Sequence, residues 1–420
     1  MFTEMKRVVV FLVLLLGALW GGAQTPLILQ LSSDTSFKNS YAWLKSEASF
    51  GIGTNALDVQ FMKELTFGGH LSKAQIADRV DAISDVLYGG GRASGGVEVW
   101  SFSDTLFGKT GLGLKVQASA NYSAQMMMGK ELFQTIFQGN APFYNDTAEF
   151  GKTYFNYQAF QKYGVGLFRK RDLSFVQLSL VNGEDFQELD AREGQLFTSV
   201  LGDSLSLQYA GSFWTSDTSR SGYGAANGLG LCLDADYNLP LEKGKGLISV
   251  SVRDFGWIKW QNGLDYTFDS LSTWRGFDVN QLIDAEGDST LSVDFRDSLH
   301  YEVNKKDFIK AMPMSVHLRM AKMISTCNYA NVGLSIWPGR SLTPRVFAGL
   351  GHFIGDHFVV SEYISFGGYS KFSAGAELQW MPKGKWFLSV KSNNLPGWIF
   401  NDARSRDVQM AVSYFINRKN

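Results

Sequence analysis

Five histidines, His70, His300, His317, His352 and His357, are the first side chains to weigh for chemistry in this 420-residue chain. His317 lies between Ser315 and Arg319 at spacings of two, which places all three on one face if the segment is a strand. Serine beside histidine is the raw material of nucleophilic acyl chemistry. A third group orienting the base is not visible, so a polar lining residue is the preferred reading of His317. His352 and His357 flank a turn, and no further ligands stand at metal-binding spacing. Gly89–Gly91 and Gly349-Leu350-Gly351 do not follow the strand–loop–helix order of a phosphate-binding loop. The sequence therefore nominates no catalytic residue, no metal ligand and no cofactor.

What it does nominate is a set of polar residues at alternate positions. Leu229, Leu231, Leu233, Ala235 and Tyr237 interleave with Gly230, Cys232, Asp234 and Asp236. Leu112, Leu114, Val116, Ala118 and Ala120 do the same with Lys115, Gln117 and Ser119. Strand side chains point alternately to opposite faces, so each segment has one apolar and one wet face. The wet set of candidate lining residues comprises Lys115, Asp234, Asp236, Arg253, His317, Arg319, Glu377 and Lys391. Their mixed signs suit internal salt bridges that brace or block an interior better than a selective pore. Asp254 has the opposite parity to Arg253 and is expected at a strand end, near Trp257.

Around these residues the chain reads as strand, turn, strand from about residue 94 onward. Asn182-Gly183, Gln261-Asn262-Gly263 and Gly355-Asp356 are among the expected turns. Two helices stand out: an amphipathic one at 72–88, opened by a Ser72/Gln75 capping box and closed by Gly89–Gly91, and a shorter one at Glu131–Gln138. The first strand is expected at Ser46–Val59, and residues 277–311 form the longest interruption. The helix at 72–88 is expected to pack on a rim, with a hatch or docking surface as the alternative.

Lys6 and Arg7 precede an apolar run from Val8 to Trp20 and then small residues, the pattern of a secretory signal over 1–23. A polar leader (24–45) and one large domain (24–420) follow. Beyond the N-terminus no run is apolar long enough to span a bilayer as a helix. Mean hydropathy is only −0.09. Net charge −1 gives no electrostatic case for nucleic acid. Cys232 and Cys327, the two cysteines, are expected to be unpaired. Alternating strands with lipid on one side and polar filling on the other describe a transmembrane β-barrel. A secreted β-sandwich would also alternate, but so many strands without disulfides fit one closed barrel better.

Gly228-Leu229-Gly230, Asp236-Tyr237 and the run Ile248–Trp260 carry a resemblance, as do Phe67-Gly68-Gly69, Phe137–Asn140, Trp274–Phe277 and Ser392–Gly397. The chain resembles an uncharacterised family of Bacteroidota outer-membrane β-barrels. That family is distantly similar to long-chain fatty-acid transporter-like and type IX secretion-associated barrels. The resemblance implies a bacterial outer-membrane location and supplies no substrate or site residue. Asp-Ser/Thr-apolar triplets such as 203–205 resemble O-glycosylation sites of such proteins, yet ordinary turn chemistry explains them.

The expected architecture is a transmembrane antiparallel barrel of about 14 strands, with 16 as the alternative. The expected role is passage of small hydrophobic or amphipathic molecules. A structural anchor for a surface or secretion apparatus is the alternative, and an enzymatic barrel ranks third. Expected partners are outer-membrane lipid, the outer-membrane assembly machinery, a small hydrophobic ligand and an envelope protein.

Overall fold

The computed structural model describes residues 40–103, 105–201, 203–217, 219–241, 245–275, 301–340, 344–355, 357–382 and 385–417. The signal segment at 1–23, most of the leader and 276–300 of the expected long loop lie outside the described residues. Strands make up most of the molecule, and fourteen of them close into one antiparallel barrel.

In chain order the strands are β1 (Ser40–Thr54), β2 (Val86–Ser101), β3 (Thr105–Leu106), β4 (Lys109–Thr110), β5 (Leu112–Gly129), β6 (Asp146–Glu149) and β7 (Thr153–Arg169). Next come β8 (Phe175–Thr198), β9 (Ser204–Thr215), β10 (Gly228–Leu241), β11 (Gly246–Arg275), β12 (Tyr301–Ala311) and β13 (Ser315–Met323). The series ends with β14 (Asn328–Ile336), β15 (Arg345–Ile354), β16 (Phe358–Gly367), β17 (Phe372–Trp380), β18 (Trp386–Ser392) and β19 (Ser405–Asn417). Around the barrel the order is β1, β2, β5, β7, β8, β10, β11 and then β13 through β19. β19 returns to β1, where Ser40 opposes Asn417 and the Thr54 N–H donates to the Arg404 carbonyl at 3.0 Å. Closure removes the sheet edges that hydrocarbon would not tolerate.

Short turns gather at one end, with both described termini. The other end carries the long excursions. There, β8 and β11 run on past the barrel for 24 and 30 residues in all. Their outer halves hold β9 between them, β12 flanks β11 and β6 flanks β8, making a projecting five-stranded sheet. The expected turns at Asn182-Gly183 and Asn262-Gly263 are thus interior to strands. Gly183 is needed because a Cβ there would come within 2.8 Å of the Trp260 ring. Asn262 adopts φ 52° where β11 slips register against β12. Residues 301–311 of the expected interruption are β12 itself.

The helices also differ from expectation. β1 begins at Ser40 and stops at Thr54. Asp58 then accepts from the Phe61 N–H at 2.7 Å and opens α1 (Val59–Phe67), a helix the alternation does not announce. α2 spans only Lys73–Ala82, with its capping box formed as expected. Residues 86–88 and the three glycines belong to β2, because Gly90 leaves room for the Tyr369 ring, whose Cε2 lies 2.6 Å from where a Cβ would sit. α3 (Lys130–Gln138) follows β5. The three helices share a core of Leu57, Phe61, Val80, Ile83, Leu87 and Phe133, joined by Met126 and Met128 from the outer face of β5. They pack on the rim of the long-loop end.

Outward positions are apolar: Val165, Leu178, Leu231, Leu318, Ile364 and Val390 are all exposed. At the short-turn end, Trp386 stacks near Tyr414 (4.7 Å between ring centres) and Phe358 against Trp380 (5.8 Å). Rings there suit the aromatic girdle of a lipid-facing barrel. Among the described residues no helix is long and apolar enough to cross a membrane. Leu178, 58% exposed on β8, gives a direct check. Leu178→Arg is expected to lower barrel stability by about 2–4 kcal/mol, read by urea unfolding in detergent micelles or lipid vesicles.

Candidate functional site

The lumen is built in layers. At the short-turn end an apolar floor fills it: Trp43, Trp100, Phe168, Phe175, Phe387 and Phe415 are all buried inside the barrel. Trp43 stacks on Phe415 at 5.7 Å and sits 5.1 Å from Trp100, which meets Phe168 at 4.8 Å. Each comes from an inward position near a strand end, so one layer of alternate residues makes the closure. Offset ring contacts of this kind add to the burial of large apolar areas.

Above the floor, the wall formed by β1 to β11 is a salt-bridge network. Glu98 receives Lys115 at 2.9 Å and Lys45 at 3.7 Å, while the Trp100 indole N–H donates to it at 3.0 Å. Lys45 also pairs with Glu47. Lys162 bridges Asp234 (2.9 Å) and Asp254 (2.6 Å). Arg253 donates to Asp236 at 3.2 Å, and the Ser249 and Ser251 hydroxyls complete that carboxylate at 3.1 Å each. Lys115 and Arg253 approach the Phe175 ring at 4.1 and 5.0 Å, tying this network to the floor.

Asp254 corrects the parity reading. It has φ 58° at the register shift between β10 and β11, and its N–H donates to Asp234 at 2.8 Å. The bulge puts Arg253 and Asp254 into the lumen side by side and reverses the phase of β11 beyond it. Ile258 and Trp260 are consequently buried inside, while Trp257 faces out. Cys232, Asp234 and Asp254 place potential metal-ligand atoms within 4.8 Å of one another. The Lys162 ammonium already bridges the two carboxylates there.

The opposite wall, β13 to β19, has a different character. The His317 imidazole bonds the Ser335 and Ser315 hydroxyls at 2.9 and 3.2 Å and meets the Trp337 ring edge-on at 5.9 Å. Among the described residues no carboxylate bonds the ring, and both its nitrogens are taken by serine hydroxyls rather than by the Ser–His–Asp arrangement of a hydrolytic triad. Glu377 accepts from Gln379 and Ser389 at 2.5 and 3.2 Å. Lys391 opposes Glu377 in the register but lies over the Tyr363 ring at 5.2 Å. Arg319 faces inward nearby. The structure therefore splits the eight lining candidates: Lys115, Asp234, Asp236 and Arg253 share the paired wall, and His317, Arg319, Glu377 and Lys391 stand on the other.

Sequence reasoning missed Lys45, Glu47, Arg92, Glu98, Lys162, Arg345 and Asp407. Arg92 was hidden among glycines assigned to a helix end. Arg345 follows Pro344, yet shares inward parity with Phe347 and Gly349, which was the available signal. Cys232 is buried and Cys327 exposed, and both are free thiols.

Among the described residues, two chambers with shared lining residues lie in the lumen. The outer, about 300 Å³, reaches up to rim residues Gly53, Ser370 and Ser405. The inner, about 170 Å³, lies against Arg319, Phe347, Tyr363 and Glu377. Arg253, His317, Trp337, Arg345, Asn393 and Gln409 line both. Two segments cross the mouth. Arg92 and Gln158 donate to the Pro313 and Ala311 carbonyls at 3.0 Å, and Arg340 pairs with Asp190 from the loop after β14.

Residues 44–388, most of the barrel just described, match a family of unknown function, DUF5723. The chain belongs to that family. No curated protein matches this DUF5723 member. Among solved structures it is similar to the toluene transporter TbuX of Ralstonia pickettii, at 8% identity and TM-score 0.40, covering 96% of this chain and 97% of that one. It is also similar to the Pseudomonas putida toluene transporter TodX, at 7% identity and TM-score 0.37, with 96% and 97% covered. The translocator domain of the autotransporter NalP from Neisseria meningitidis gives 9% identity and TM-score 0.26, with 90% and 88% covered. Likenesses this remote bring no substrate to the chain.

Lys162 tests the network. Lys162→Met strands two buried carboxylates and is expected to cost about 3–5 kcal/mol. Adding Asp234→Asn should recover part of that loss. The measurement is the temperature at which the folded band is lost in unboiled gel electrophoresis.

Proposed function

We propose that this barrel sits in the bacterial outer membrane and admits small amphipathic molecules from outside, passing them inward when the aromatic floor moves. The observation that carries this reading is the lumen's larger chamber, which runs from rim residues Gly53, Ser370 and Ser405 to Trp100 and Phe175 of the aromatic floor. Short turns face the periplasm in such barrels and long loops face outward, which sets the direction. The lining combines aromatic rings with a few placed polar groups, as small-molecule sites do. The bonded network of Lys45, Glu98, Lys115, Lys162 and Arg253 holds one wall rigid, so movement is assigned to the floor.

A second reading has its own support. The projecting sheet of β6, β8, β9, β11 and β12 offers a large surface beyond the barrel, and a closed floor fits a non-transporting anchor for an envelope partner. Crosslinking in intact envelopes distinguishes it: a stable partner captured at the sheet, with no solute flux, would favour the anchor.

The passage reading is tested by opening the floor. The native protein should hold planar bilayers near baseline conductance. Trp100→Ala with Phe415→Ala should give steady ion current and faster proteoliposome swelling, alongside a stability loss of about 3–5 kcal/mol for each truncation. Unchanged conductance in folded double variants would remove the floor from the pathway. No uptake of any small solute or binding of any amphipathic ligand by native proteoliposomes would end the reading itself.

A further inference from the structure

The two walls of the lumen are not electrostatically alike. On the β1-to-β11 wall, Lys45, Lys115, Lys162 and Arg253 are each ion-paired. Facing the two chambers are four more cations, Arg92, Arg319, Arg345 and Lys391, and among the described residues none forms an ion pair. Arg92 is held by main-chain carbonyls of Pro313 and Met314, at 3.0 and 3.5 Å, and Arg345 by the Asn393 side-chain oxygen at 3.3 Å. Two carboxylates share the space. Glu377 is bonded by Gln379 and Ser389, and Asp407 by the Asn393 main-chain N–H (2.9 and 3.0 Å) and side-chain amide. Arg92 stands on β2 of the paired wall; on the β13-to-β19 wall Arg319, Arg345 and Lys391 face Glu377 and Asp407, an excess of one positive charge.

The arginines also keep unused hydrogen-bonding capacity. The Nε–H groups of Arg319 and Arg345 are hidden from solvent and have no partner. Native proteins seldom leave buried donors unmatched, because an unmade hydrogen bond to a charged group is costly. Around the same chamber stand Trp337, Phe347 and Tyr363. Phe347 meets the Tyr363 ring edge-on at 6.3 Å. About 170 Å³ accommodates one small ring and no long chain.

We propose that the Arg319–Arg345–Lys391 wall is a receptor for the carboxylate of a small aromatic or short-chain organic acid, its apolar part lying against Trp337 and Phe347. This rests on the passage reading and names its substrate class. A guanidinium fork takes a carboxylate through two parallel hydrogen bonds, a geometry that a neutral alcohol does not match. Trp337 and Arg345 line both chambers, so an acid entering the outer chamber from the rim already meets part of this wall.

The test uses the full chain in detergent micelles, titrated calorimetrically with benzoate, benzyl alcohol and inorganic phosphate. Benzoate should bind at least about tenfold more tightly than benzyl alcohol, and more weakly as salt rises. Arg319→Gln and Arg345→Gln should each weaken benzoate by about tenfold and leave benzyl alcohol unchanged. Glu377→Gln removes a competing carboxylate and should tighten benzoate, a gain that misfolding does not produce. Equal affinity for benzyl alcohol, phosphate binding as tightly as benzoate, or folded arginine variants with native benzoate affinity would overturn the receptor. If benzyl alcohol still enters native proteoliposomes, the passage reading survives that failure. If neither solute binds nor enters, both fall.

Discussion

Every backbone N–H and C=O in the barrel wall must find its partner within the sheet, because hydrocarbon offers none. That requirement forces the sheet to close on itself and fixes which side chains meet lipid. Once β19 returns to β1, each strand delivers alternate residues to the inside, and the lumen's chemistry is set by one parity of each strand. Layers then follow from depth alone. Residues near the short-turn ends, such as Trp43, Phe168 and Phe387, form an apolar floor. Those one or two steps deeper, such as Lys45, Glu98 and Lys115, form the charged tier.

Burying that many charges demands partners, and the two walls meet the demand differently. The first wall satisfies Asp234 and Asp236 completely through Lys162, Arg253 and neighbouring serines, giving a rigid surface with little left to offer a ligand. On the second, the Asn393 amide holds Arg345, and amides and hydroxyls hold Glu377, so its cations are oriented without being neutralised. One wall consolidates the structure, and the other retains affinity.

The period of two was legible because lipid and water impose opposite demands on neighbouring residues, so Leu229–Tyr237 or Leu112–Ala120 declare their faces unaided. The number of strands followed, and the first capping box at Ser72 was read correctly. What escaped were features that break the period. Asn182-Gly183 and Asn262-Gly263 carry turn chemistry, yet β8 and β11 pass through them, since each strand exchanges β10 for β9 as its partner close to these points. The Arg253-Asp254 bulge is defined by a partner on β7, Lys162, a long-range contact that local patterning does not contain. Arg92 was masked by the glycine run before it, in which Gly90 clears space for Tyr369, a residue on a distant loop. α1 escaped because its start depends on one Asp58 side chain between two strong strand signals.

β11 runs unbroken through 30 residues, roughly 100 Å of extended chain from the short-turn rim to the tip of the projecting sheet. Its first half carries Arg253 and Asp254 into the lumen, and its second half is a central strand of the projecting sheet. A displacement of that sheet would therefore reach the bulge along a single covalent ribbon.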